Sequence, residues 1–329
     1  MKNKIIRIMF EIIIAIFVLI CGISLIIYAS MKAVKHSAIL AAALGVSPLI
    51  IGITLVSIGT DISEIFNSIV SCSLGHGDID VGDSVGSDLT QLTLVFGILP
   101  LVTGVIYVHR KDIIILGASE ILSLILIFTI VEKGYITRLN AILMVGSLGI
   151  YIWLIYNANK NSIMQRVDMI EKIKAPKSKL YHLLIALIGF GGVTLAAFMI
   201  VESVIVISSV LNIHEYIISF FVVAVGTSLP ELAVDINALR LGHHQIAIGD
   251  IVGSCIVDST LSIGIGQVLF PQAVTAAFAV PTVLYTLIAS FIVFSLIAIR
   301  RKVDKKAGII FISLYFLSYL FLFSYFIIG

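Results

Sequence analysis

Glu64 and Glu231 are carboxylates embedded in apolar stretches, and each stands four residues after a threonine, Thr60 or Thr227. A serine, Ser87 or Ser254, follows each glutamate by 23 residues, with Gln91 or Asp258 four residues further on. Residues four apart share one face of a helix, so Thr60 pairs with Glu64, and Asp83, Ser87 and Gln91 make a polar stripe. Thr227 with Glu231, and Asp250, Ser254 and Asp258, repeat the arrangement. Carboxylate, hydroxyl and carbonyl oxygens are the ligands that hard cations take. Pro230 has no amide hydrogen and so frees a carbonyl about one turn earlier, where residues Ala224–Gly226 could offer backbone oxygen to an ion, the Ala224 oxygen among the candidate ligands. The Lys and Arg residues fall in the connections, so a bound cation or a proton must balance Glu64 and Glu231.

These residues belong to a duplication. Residues 59–97 recur without a gap at 226–264, at a constant offset of 167, with 16 of 39 positions identical. Other features inside the copies have plainer readings. Gly82, Gly86, Gly249 and Gly253 suit close helix packing, and Ser71 and Ser208 suit hydroxyls bonded back to their own helix. His76 and His243 read as surface residues at helix ends. For Asp83 and Asp250, capping, a vestibule and coordination all stay open.

The elements that position these side chains are transmembrane helices. The chain is 60% hydrophobic and 12% charged, far from the composition of a soluble domain. Ten apolar runs are each long enough to span a bilayer: 8–30, 38–58 continuing brokenly to 74, 81–107, 112–131, 136–156, 180–210, 214–241, 246–270, 277–299 and 307–328. No cleavable signal peptide is evident, and Cys21, Cys72 and Cys255 fall within helices, which argues against disulfides. The net charge of +2 gives no reason to expect a nucleic-acid partner. Of the 21 Lys and Arg residues, 16 fall in alternate connections, including residues 157–179. Positive charge accumulates on the cytoplasmic side, so 157–179 is expected in the cytoplasm and both termini outside. Five spans separate the equivalent helices of the two copies, and an odd number inverts one copy relative to the other. The expected fold is an all-α membrane protein of ten transmembrane helices in two inverted five-helix repeats. Residues 1–156 and 180–329 form the repeats, and 157–179 is a basic linker. The expected partners are the lipid bilayer of the cell membrane and the transported cations, and the expected state is a monomer.

At Gly226-Thr227-Ser228-Leu229-Pro230-Glu231 and Gly253-Ser254-Cys255-Ile256-Val257-Asp258 the chain resembles the sodium/calcium exchanger family of the cation/Ca²⁺ antiporters. Gly59-Thr60-Asp61-Ile62-Ser63-Glu64 and Gly86-Ser87-Asp88-Leu89-Thr90-Gln91 match the same pattern at the same spacing. The resemblance implies that Thr60, Glu64, Ser87, Gln91, Thr227, Ser228, Glu231, Ser254 and Asp258 bind the transported ions. Four positions depart from the family pattern: Ser63 for proline, Asp61 for a hydroxyl, Gln91 for asparagine and Asp88 for asparagine. Asp61, if it faces the cavity, adds a carboxylate to the site. The implied function is Na⁺/Ca²⁺ antiport by alternating access, and the alternative is a proton-coupled antiporter of the same architecture, Ca²⁺/H⁺ or Na⁺/H⁺. An enzyme is not expected, since no HExxH or comparable motif is present, and neither is a cofactor.

Overall fold

The computed structural model describes residues 2–43, 59, 61–158, 179–240, 242 and 244–328. Thr60, His243, most of the 157–179 linker and residues 44–58 of the second predicted span lie outside the described residues. The described residues are almost all helical, beginning with α1 Lys2–Ala43, α2 Ile62–Ser73, α3 Gly77–Thr103, α4 Arg110–Val131 and α5 Arg138–Ala158. The second set is α6 Lys179–Leu211, α7 Glu215–Arg240, α8 His244–Val257 continuing to Leu269, α9 Ala276–Arg300 and α10 Lys305–Ile328. Among the described residues eight helices are long and apolar enough to cross a membrane, and α5 contributes a shorter apolar stretch over Arg138–Leu154.

The surface is inside out relative to a soluble protein. Phe17, Trp153, Ile188 and Leu320 are mostly exposed, while Asp61, Glu64, Glu231 and Asp258 are buried. Such an apolar exterior is stable only against lipid. One sequence expectation fails here. Residues 31–37 were expected as a connection, yet α1 runs through them for 42 residues, about 63 Å at 1.5 Å per residue. Lys32 and Lys35 are exposed on this helix, with the Lys32 ammonium 5.4 Å from the Tyr28 ring centroid. Long basic side chains can reach polar surroundings from a continuing helix, so charge there did not require a break.

The duplication is visible in the backbone. Moving Ile62–Ser73 along by 167 residues gives Leu229–Arg240, the observed second half of α7. In front of each half-helix the chain departs from helical geometry at equivalent positions, Asp61 (φ −82°, ψ 13°) and Ser228 (φ −80°, ψ 1°). The break therefore has the same form with Ser63 as with Pro230. Both α3 and α8 pass through a π-helical segment, Thr90–Val95 and Asp258–Ser262. The equivalent threonines Thr93 and Thr260 each turn their hydroxyls back onto the carbonyl four residues earlier, which competes with the main-chain ladder. Loops at corresponding places then join the halves. A two-stranded ladder pairs β1 (Ile106–Tyr107) with β2 (Lys302–Val303), and a bridge joins Tyr135 to Ala273.

Close approach of α3 to α7 brings the halves together. Gly82 and Gly86 leave no room for a side chain: a Cβ at Gly86 would stand 2.4 Å from the Phe220 carbonyl oxygen and 2.7 Å from the Ala224 Cβ. The packing role expected for these two glycines is the one they fill.

Candidate functional site

Two helix breaks and two π-segments converge on one polar centre. Glu64 and Glu231 occupy the first turn of their half-helices, where the partial positive charge of the helix N-terminus favours an anion. One oxygen each from Asp61, Glu64 and Glu231 lies within 4.8 Å of the others, and all three side chains are buried. Oxygens on opposite sides of a Ca²⁺ ion stand about 5 Å apart, twice the usual 2.3–2.6 Å bond. The spread of this cluster therefore suits a single hard cation.

Asp61, the departure from the family pattern, is brought into the site. Ser63, which replaces a proline, donates to Glu64 Oε2 at 2.8 Å. Pro230 has no such hydroxyl, and both oxygens of Glu231 are buried without a hydrogen bond, as is Oε1 of Glu64. Buried carboxylate oxygens in this state are costly unless something supplies positive charge. Among the described residues the ion pairs are His76–Glu215, His214–Asp78, Arg300–Asp304 and Lys302–Asp304, none of which touches these acids.

The remaining predicted residues surround this triad. The Ser87 and Thr227 hydroxyls are 3.2 Å apart, and Thr227 Oγ1 also donates to Asp83 Oδ1 at 3.2 Å. The Ala224 carbonyl collects hydroxyls from Ser228 at 2.8 Å, Thr227 at 3.3 Å and Ser87 at 3.5 Å. Gln91 Nε2 donates to Asp258 Oδ2 at 3.3 Å. Gln91 and Asp258 are equivalent residues of the two repeats, so the π-segments lead matching positions to meet across the pseudo-two-fold axis. Ser254 is buried on α8. Thr60, the repeat equivalent of Thr227, lies outside the described residues.

Sequence reasoning left other residues unassigned. Asp83 is buried, accepting from Asn67 Nδ2 at 2.6 Å as well as from Thr227. Asn67 lies one turn after Glu64 and belongs to the same polar wall. Asp88 and Glu120 are buried on α3 and α4. Glu120 had a signal available, since a carboxylate in the middle of an apolar span is functional by default. Ser71 does bond back to its own helix, at 3.1 Å to the Ser68 carbonyl, and His76 is a partly exposed helix cap 2.8 Å from Glu215.

Comparison with known proteins is consistent with this geometry. The family model described as "Sodium/calcium exchanger protein" matches residues 14–157 and 181–324. The sodium/calcium exchanger MaX1 of Methanosarcina acetivorans is 25% identical over 335 residues, covering 91% of this chain and 95% of its own. The inner membrane protein YrbG of Escherichia coli is 26% identical over 301 residues, covering 88% and 90%. Among solved structures, the sodium-calcium exchanger NCX_Mj soaked with Na⁺ and Sr²⁺ superimposes with a TM-score of 0.60. That match has 25% identity and covers 93% of this chain and 98% of the other.

Proposed function

We propose a specific exchange reaction from one premise: the chain belongs to the sodium/calcium exchanger family, and is a multi-pass membrane cation antiporter. The reaction is exchange of Na⁺ for Ca²⁺ at the centre formed by Asp61, Glu64 and Glu231. One observation carries it. Carboxylates from both repeats converge within one ion's ligand sphere, with buried oxygens that have no hydrogen-bond partner among the described residues. Ser87, Gln91, Thr227, Ser228, Ser254, Asp258, Thr60 and the Ala224 carbonyl are the further ligands in this reading. A bound cation cancels the buried charge, and the loaded site can then be closed to water on both sides. Because the repeats are inverted, exchanging their conformations moves access from one face of the membrane to the other. Ion flux in proteoliposomes, with Na⁺, K⁺ and H⁺ gradients imposed separately, tests the reading. Ca²⁺ uptake is expected only against an outward Na⁺ gradient, and uptake driven by a proton gradient alone would replace Na⁺ by H⁺ as the coupling ion.

The placement of Asp61 favours the proton-coupled alternative enough to give it its own test. Protons and cations compete for crowded carboxylates, so cation affinity is expected to fall as pH falls from about 8.5 to 5.5. Asp61→Ser restores the hydroxyl found at Ser228 and is expected to flatten that dependence. Equal pH profiles for Ca²⁺ binding in wild type and Asp61→Ser would remove Asp61 from the coupling.

Orientation follows from the uneven distribution of Lys and Arg: the 157–179 segment in the cytoplasm and both termini outside. A cysteine introduced at Ser178 is expected to resist an impermeant thiol reagent on intact cells and to react once they are opened. Labelling of the intact cells would reverse the orientation.

A further inference from the structure

Behind the exchange centre lies a second buried cluster that the exchange reaction does not use. Asp88 on α3, Glu120 on α4 and Cys255 on α8 each place one donor atom within 4.8 Å of the other two. All three side chains are buried. Their surroundings hold them without satisfying them. Ser259 Oγ donates to Asp88 Oδ2 at 2.5 Å, and Ser123 Oγ reaches Glu120 Oε2 at 3.4 Å. The other oxygens, Asp88 Oδ1 and Glu120 Oε1, are buried with no hydrogen-bond partner. Cys255 Sγ makes only long contacts, 3.8 Å to the Asp88 carbonyl and 3.7 Å to Gln91 Oε1. Two carboxylates with unpaired oxygens and a weakly held thiol, with no basic residue among the described ones pairing either acid, make a cage of oxygen and sulfur donors. Asp88 and Cys255 are moreover equivalent positions, 167 residues apart, so the cluster sits where the two repeats meet.

We propose that Asp88, Glu120 and Cys255 form a second cation site, distinct from the exchange centre, that takes a thiophilic divalent ion such as Zn²⁺. Three atoms within 4.8 Å of one another leave a central ion no more than about 2.8 Å from each (4.8 Å divided by √3). Zn²⁺ bonds are about 2.0–2.3 Å, so the donors need to close by roughly 0.5–0.8 Å. Ca²⁺ is disfavoured here, because it asks for six to eight oxygens and gains little from sulfur. On binding, the Cys255 thiol proton leaves to water as the metal–sulfur bond forms. The ion would tie α3, α4 and α8 together and draw Cys255 away from Gln91, whose amide holds Asp258 in the exchange centre. Occupancy should therefore slow exchange without competing with Ca²⁺.

The probe is Cd²⁺, whose bond to a thiolate gives an ultraviolet charge-transfer band, titrated into the purified full-length protein. One equivalent of Cd²⁺ is expected to develop the band and Zn²⁺ to remove it by competition. Cys255→Ser should abolish the band, and the near-isosteric Glu120→Gln should weaken binding by at least about tenfold, or 1.4 kcal/mol. Cys72→Ser and Glu64→Gln should leave it intact, which separates this site from the exchange centre. Absence of the band in wild type, its survival in Cys255→Ser, or its loss in Glu64→Gln or on adding Ca²⁺ would each overturn the proposal.

Discussion

Glu64→Gln and Glu231→Gln are each expected to abolish exchange while leaving a folded protein. The change keeps the shape of the side chain but replaces an anionic oxygen with an amide. In a buried centre where no basic residue among the described ones pairs with the acids, that removes part of the charge that holds the cation. A loss of at least about 100-fold in Ca²⁺ affinity, about 2.8 kcal/mol, is expected. The sign of the stability effect is the discriminating readout. Neither buried oxygen of Glu231 has a hydrogen-bond partner among the described residues, so its neutral replacement should melt no lower than wild type in ion-free buffer. Ca²⁺ should raise the melting temperature of wild type, by linkage to the native state, and fail to raise that of the variants. Retained Ca²⁺ stabilisation in either variant would place the ion elsewhere.

The second large effect is expected at Gly86, where the requirement is space. A methyl group there would meet the Phe220 carbonyl oxygen at 2.4 Å and the Phe220 Cα at 2.9 Å, both backbone atoms that cannot rotate away. Gly86→Ala must push α3 from α7, at the level where Ser87 and Thr227 touch. Overpacking of this kind costs about 1–3 kcal/mol, a fall on the order of 5 °C in melting temperature, and flux should drop with it. Gly86→Leu is expected to prevent recovery of a monodisperse protein. Gly146 on α5 has nothing within 4 Å of the corresponding position, and Gly146→Ala should be silent. If Gly86→Ala and Gly146→Ala behave alike in thermal melts, the close crossing is not what holds these helices.

Much of the exchange centre could be read before any coordinates, for a physical reason. In an apolar background each carboxylate or hydroxyl is costly, so the polar residues that remain stand out, and an exact repeat spacing pairs them. That logic singles out Glu64, Glu231, Ser87, Gln91, Thr227 and Asp258, and the structure gathers these side chains, with Asp61, into one buried polar region. The logic failed at Lys32 and Lys35, where charge was taken for a loop although a helix can carry exposed lysines past the apolar core. It could not find the Asp88–Glu120–Cys255 cluster, because no sequence spacing relates α4 to α3 and α8. The π-segments were also hidden. Back-bonded hydroxyls such as those of Thr93 and Thr260 also occur in the ordinary helices here, at Thr286 and Ser290 for instance, and nothing in hydropathy distinguishes the two.

The meeting of Gln91 with Asp258 also constrains how the protein is made. The two residues are 167 apart, and at a synthesis rate of about 5–20 residues per second Gln91 waits roughly 8–33 s for its counterpart. During that time the first half holds Asp61, Glu64, Asp83, Asp88 and Glu120 with no second half to enclose them. The nascent first half therefore has good reason to linger at a protected, hydrated place in the insertion machinery, and to enter lipid fully only once α7 and α8 arrive. Division of the site between inverted copies makes biogenesis a reunion of halves, in which the late copy shields the early one from the membrane.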